Sequence, residues 1–121
     1  MSAVAHYLSG KVVFVTGATG FLGKGLVEKL LRQAPGLKRL YLPIRLRGGS
    51  AVRSPSAQER MLREVWGSNA FVNLRKLWGG RFEALMGEKV VAVPWDLTED
   101  RLGIEPDRYR ELTCEVDIVI H

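Results

Sequence analysis

A chain of 121 residues, 46% hydrophobic and 26% charged, has the composition of one soluble globular domain, which excludes fibrous and membrane-embedded classes. A single cysteine, Cys114, excludes an internal disulfide and a cysteine metal pair and points to a reducing compartment, the cytoplasm by default. The net charge of +5 is uneven, with ten Lys/Arg against two carboxylates in residues 1–60 and eight against eleven in residues 61–121, so the first half is suited to an anionic ligand.

Residues 1–10 lack the basic start and long apolar middle of a signal peptide, and no apolar run is long enough for a spanning helix. Residues 11–17, KVVFVTG, form a short β-branched and aromatic run closed by glycine, the pattern of a strand buried on both faces of a parallel sheet. Over residues 21–33, Leu22, Leu26, Val27, Leu30 and Leu31 recur at helical spacing, with Glu28 and Arg32 four apart on the expected wet side and Ala34-Pro35-Gly36 as the stop.

Residues 37–45 read as a second strand, with Pro43 counting against its continuity because proline removes a ladder donor. The next forty or so residues exceed a plain crossover. They divide at Gly67 and at Gly79-Gly80, giving two or three helices, with Met61, Leu62, Val65, Trp66, Phe71, Leu74, Leu77 and Trp78 expected inward. Residues 89–97 are a third strand, tolerable to Pro94 at a sheet edge, and residues 116–121 a fourth. Trp66, Trp78 and Trp95 are expected in the core, and His6 in solvent.

The stretch TGATGFLGKG, residues 16–25, decides between two phosphate loops. A nucleoside-triphosphate loop needs a glycine where Ala18 stands and a hydroxyl residue where Gly25 stands, so that match fails twice. The other reading places glycines 17, 20 and 23 at three-residue spacing between a buried strand and a helix. There Gly17 makes the turn, Gly20 lets the backbone approach a pyrophosphate, Gly23 lets helix pack on strand, and the helix N-terminus faces the charge.

Arg45 stands 22 residues after Gly23 at the end of the second strand, followed by Arg47, with no Asp or Glu between Glu28 and Glu59. A 2′-phosphate calls for arginine at this position and a ribose diol for an acid, so NADPH is preferred over NADH. Asp96 and Leu97 end the third strand on the adenine side; either Asp96 accepts from the adenine amino group, or Asp96 or Thr98 caps the helical turn after the strand. The expected cofactor-binding residues are Gly17, Thr19, Gly20, Phe21, Leu22, Gly23, Arg45, Arg47, Asp96 and Leu97.

VFVTGATGFLGKGLVEKLL, LYLPIR, SAQERM, DLT and VDIVIH together resemble the N-terminal part of the extended short-chain dehydrogenase/reductases, most closely the fatty acyl-CoA reductases of male-sterility type. The resemblance accords with the fold read from the residues, a Rossmann-type parallel α/β sheet in the usual strand order 3-2-1-4 with a helical insert between strands two and three. It also implies NADP(H) as cofactor and a long-chain acyl-CoA as substrate, reduced to aldehyde or alcohol with help from a Tyr and a Lys four residues later. The only such pair here, Tyr7 and Lys11, crosses a glycine into the first strand and is read as chance. No catalytic residue is therefore assigned. Residues 1–121 are expected to be the first part of one dinucleotide-binding domain, cut after its fourth strand. A cofactor-sensing domain without chemistry is the alternative, and nucleic-acid binding is disfavoured because no recognition helix or aromatic platform accompanies the charge.

Overall fold

The computed structural model describes residues 3–45, 57–96, 98 and 100–121. Four parallel strands form one sheet in the order β3-β2-β1-β4: β1 Val12–Val15, β2 Arg39–Arg45, β3 Val90–Trp95 and β4 Ile118–Ile120. The order and the parallel pairing are those expected from sequence, with each strand two or three residues shorter in all than the apolar runs suggest. β1 is central and buried at all four positions, as its unbroken Val/Phe run requires.

Alternate residues of the strands supply two cores. Val13, Val15, Leu40, Leu42 and Ile44 face α2 (Phe21–Gln33) and the insert helices. Val12, Phe14, Tyr41 and Val93 face Leu112 of α6 (Pro106–Glu115). α2 turns Val27 and Leu31 fully inward and ends where the Ala34 N–H reaches the Leu30 carbonyl. The insert divides where its glycines predict. α3 (Ala57–Met61) runs through a π turn at Leu62–Trp66, α4 (Val72–Trp78) ends at Gly79 with φ +53, and α5 (Phe82–Lys89) leads into β3. Met61, Val65, Trp66, Phe71 and Leu74 are buried as expected, Trp78 packs partly against the core, and Trp95 meets Phe14 edge to face at 6.0 Å.

Several expectations are corrected. β2 runs straight through Pro43, which is buried. The register with β1 ends at Tyr41, so on that side no ladder bond is lost, while Pro94 lies on the edge strand. Leu62 and Leu77 are 41% and 63% exposed, because the π turn and the break at Gly79 shift the helical phase assumed for them. Glu28 is not on a wet face: it is 5% exposed, held by Arg32 Nε at 2.9 and 3.0 Å, on a helix that also packs against the insert. The contact with Glu28 raises the Arg32 guanidinium pKa.

Two helices lie outside the expected elements. A short α1 (Ala3–Leu8) buries Ala5 and Leu8 and leaves His6 exposed. α6 starts at Pro106, with the Glu105 carboxylate accepting from the N–H groups of Asp107 and Arg108. The buried Tyr41 hydroxyl donates to Glu115 at 2.7 Å and ties α6 to the sheet. Burial first, and then that contact, raise the Tyr41 pKa.

Candidate cofactor-binding site

β1 ends at Val15 and the chain turns beside β4, where the Thr16 N–H donates to the Ile120 carbonyl at 3.0 Å and Thr16 Oγ1 lies 2.9 Å from His121 Nδ1. This is the gap between β1 and β4 where the strand order reverses, the usual ligand position in open α/β sheets. Gly17 takes φ +72, a conformation that favours glycine. Its carbonyl accepts from Gly20 N–H at 3.0 Å.

α2 then begins at Phe21. Gly20 occupies the cap position with no side-chain cap, and the first turn holds no acid. The first intrahelical bond runs from Lys24 N–H to the Gly20 carbonyl, so the N–H groups of Phe21, Leu22 and Gly23 precede the helical ladder, at the positive end of the helix dipole. The two later glycines do different work. A Cβ on Gly23 would stand 1.9 Å from the Gly17 carbonyl oxygen and 2.9 Å from the Ala18 Cα, whereas a Cβ on Gly20 would meet only the Gly17 oxygen, at 3.4 Å. The protein needs glycine at position 23 for its own packing; at position 20 it leaves a bare backbone over which an anion can sit.

Phe21 and Leu22 are 90% and 83% exposed. Leu22 therefore does not belong to the buried face of α2 expected from its spacing. Thr19 is half-buried in the same loop.

Arg45 is the exposed last residue of β2, paired in register with Trp95. Asp96 follows directly. Its Oδ1 accepts from Thr98 N–H at 2.9 Å and Thr98 Oγ1 at 2.7 Å, so the turn-capping role weighed from sequence is present. These two bonds, and less strongly the charge of Arg45, hold the Asp96 carboxyl below the usual carboxylate range. Arg45 thus has an acid near it in space that its own stretch of sequence lacks. The Asp96 N–H donates to the Leu102 carbonyl at 2.7 Å, closing the turn in which Arg101 and Leu102 take φ +50 and +61. Arg47 and Leu97 lie outside the described residues.

All the described residues expected to bind cofactor lie at the C-terminal end of the strands. Tyr7 and Lys11 lie at the other end, on α1 and just before β1, with the Lys11 ammonium 5.6 Å from the Tyr7 ring centroid, and share no helix. Sequence reasoning left His121 without a role; its contact with Thr16 across 105 residues carries no local signal.

A helix N-terminus without a side-chain cap, a glycine with no side chain in the way and a basic strand end fit a dinucleotide pyrophosphate. Residues 15–121 match the model of the NAD-binding family described as male sterility protein. The chain belongs to that family. It is 42% identical over 118 residues to the probable fatty acyl-CoA reductase 5 of Arabidopsis thaliana, covering 96% of this chain and 23% of that protein. It is 36% identical over 122 residues to the alcohol-forming fatty acyl-CoA reductase of Simmondsia chinensis, covering 100% and 24%. Among solved structures, the reductase domain of a nonribosomal peptide synthetase from Mycobacterium tuberculosis superposes with a TM-score of 0.63 at 28% identity, over 97% of this chain and 26% of that one. The chain therefore spans about a quarter of the length of the curated relatives it matches. This male-sterility-family segment binds a nicotinamide cofactor on a Rossmann-type sheet, and no helix among the described residues is long and apolar enough to cross a membrane.

Proposed function

We propose that the chain is the NADPH-binding segment of a reductase acting on long-chain acyl-CoA thioesters, forming the first part of one dinucleotide-binding domain. The observation that carries this reading is the open N-terminus of α2, where a Cβ on Gly20 would meet only the Gly17 carbonyl oxygen, at 3.4 Å, with Arg45 exposed at the neighbouring strand end.

The N–H groups of Phe21, Leu22 and Gly23 would bind the pyrophosphate, helped by the helix dipole. Arg45, with Arg47, would take the 2′-phosphate, and Asp96 and Leu97 would border the adenine. Thr98 keeps Asp96 ionised and oriented at that edge. NADPH, when bound there, would supply the hydride that takes a thioester carbonyl to the aldehyde with release of the CoA thiol, and a second hydride would be needed for the alcohol. The residues named here bind and orient; none of them moves the proton. A reducing compartment, the cytoplasm by default, accords with the free, exposed Cys114.

With no Tyr-x-x-x-Lys on a helix, residues 1–121 should bind NADPH without turning it over. The test is a titration of the purified chain with NADPH, followed by addition of a long-chain acyl-CoA while the dihydronicotinamide absorbance is recorded. Saturable binding with constant absorbance is the expected result. Sustained oxidation would place the proton donor within this chain, and no binding would refute the proposal.

A further inference from the structure

The end of β2 has a support that the cofactor reading does not use. Arg60, on α3, is only 13% exposed in its side chain. Its Nη1 donates to the main-chain carbonyl of Arg45, and its Nε donates to the Glu64 carboxylate one turn further on. α3 packs against both β2 and β3.

The place of this contact matters because, among the described residues, β2 is strand-paired on one side only at its end. Its register with β1 stops at Tyr41, four residues before Arg45, while β3 alone continues to pair through Trp95. The direction of the Arg45 side chain follows from the backbone at that last residue. A guanidinium from α3 bonded to its carbonyl gives that backbone a hold beyond its pairing with β3. Glu64 neutralises Arg60 and fixes its plane, so Arg60 acts through geometry and not as a second free cation.

We propose that Arg60 is a positioning residue for Arg45, holding the end of β2 so that the Arg45 guanidinium stands at the cofactor 2′-phosphate. The insert helix α3 thereby takes part in the choice between the two nicotinamide dinucleotides. This inference rests on the assignment of Arg45 under Proposed function.

Dissociation constants for NADPH and NADH, with melting temperature, measured on the unmodified chain, Arg60→Ala and Arg60→Lys test it. Arg60→Ala should lose roughly tenfold in NADPH affinity while NADH affinity stays within about twofold, because a misplaced charge-assisted contact affects only the phosphorylated cofactor. Arg60→Lys should fall between, since an ammonium reaches the carbonyl but lacks the planar fork that engages Glu64 at the same time. It also supplies the measurement if Arg60→Ala does not fold.

Equal loss for both cofactors together with a lower melting temperature would show a merely structural residue and overturn the inference. So would an unchanged NADPH affinity. Equal affinities of the unmodified chain for NADPH and NADH would overturn the Arg45 assignment itself, and with it this inference; that result is read without any Arg60 variant and so is distinct from the other two.

Discussion

Gly23→Ala should lower the melting temperature by roughly 10 °C or more, because the new methyl enters backbone atoms that cannot yield as a side chain can. The oxygen it meets, 1.9 Å away, belongs to Gly17, and the Ala18 Cα is at 2.9 Å, so relief requires lifting α2 from the turn that follows β1. Cofactor affinity should fall with stability. Gly20→Ala is the control: at φ −79 and ψ 167 any residue is tolerated, and the nearest atom is at 3.4 Å. Its melting temperature should move by only a few degrees while nicotinamide dinucleotide affinity drops at least tenfold, since the methyl occupies the space assigned to the pyrophosphate. Thermal melts with and without cofactor on both variants check the pair. Normal binding by Gly20→Ala would remove the pyrophosphate from this loop.

Arg45→Glu should reverse the cofactor preference. A charge-assisted contact to a phosphate is worth roughly 1.5 to 3 kcal/mol, about 10- to 150-fold in affinity, and the introduced carboxylate repels the 2′-phosphate further. It would also offer NADH an acceptor for its ribose hydroxyls. Asp96 already lies close enough to Arg45 for the two charges to interact. The variant therefore places two acids at the neighbouring ends of β2 and β3, and NADPH should suffer more than from the loss of Arg45 alone. The check is the ratio of NADPH to NADH dissociation constants before and after substitution. An unchanged ratio would show that Arg45 does not meet the phosphate.

The glycine loop and its flanking elements were legible because their signals are local. An unbroken apolar strand, a glycine every third residue and a helical period are adjacent in sequence, and Gly17 and Gly23 do what their positions imply. Strand order follows the usual arrangement of doubly wound dinucleotide-binding sheets and agrees with the pairing observed. What escaped depends on neighbours distant in sequence. The tolerance of Pro43 follows from where β1 stops, and the burial of Glu28 from helices packed on one another. α6 buries fully only Leu112 of its own residues, so its apolar period is faint, although Glu105-Pro106-Asp107 was a usable start signal. Arg60 reads as one more cation in a basic stretch; only its contact with the Arg45 carbonyl separates it from the rest.

The most direct test of the central claim, that the α2 N-terminus and the end of β2 together hold NADPH, is an amide-resolved NMR titration of the chain with that cofactor. The account predicts that the amides of Gly17, Gly20, Phe21, Leu22, Gly23 and Arg45 shift together along one saturation curve, with those of Leu112 and Val116 on the α6 face unmoved, and that NADH reproduces the loop shifts but not the full shift at Arg45. Shifts confined to the α6 face, or a glycine loop that stays unperturbed at saturating NADPH, would contradict it.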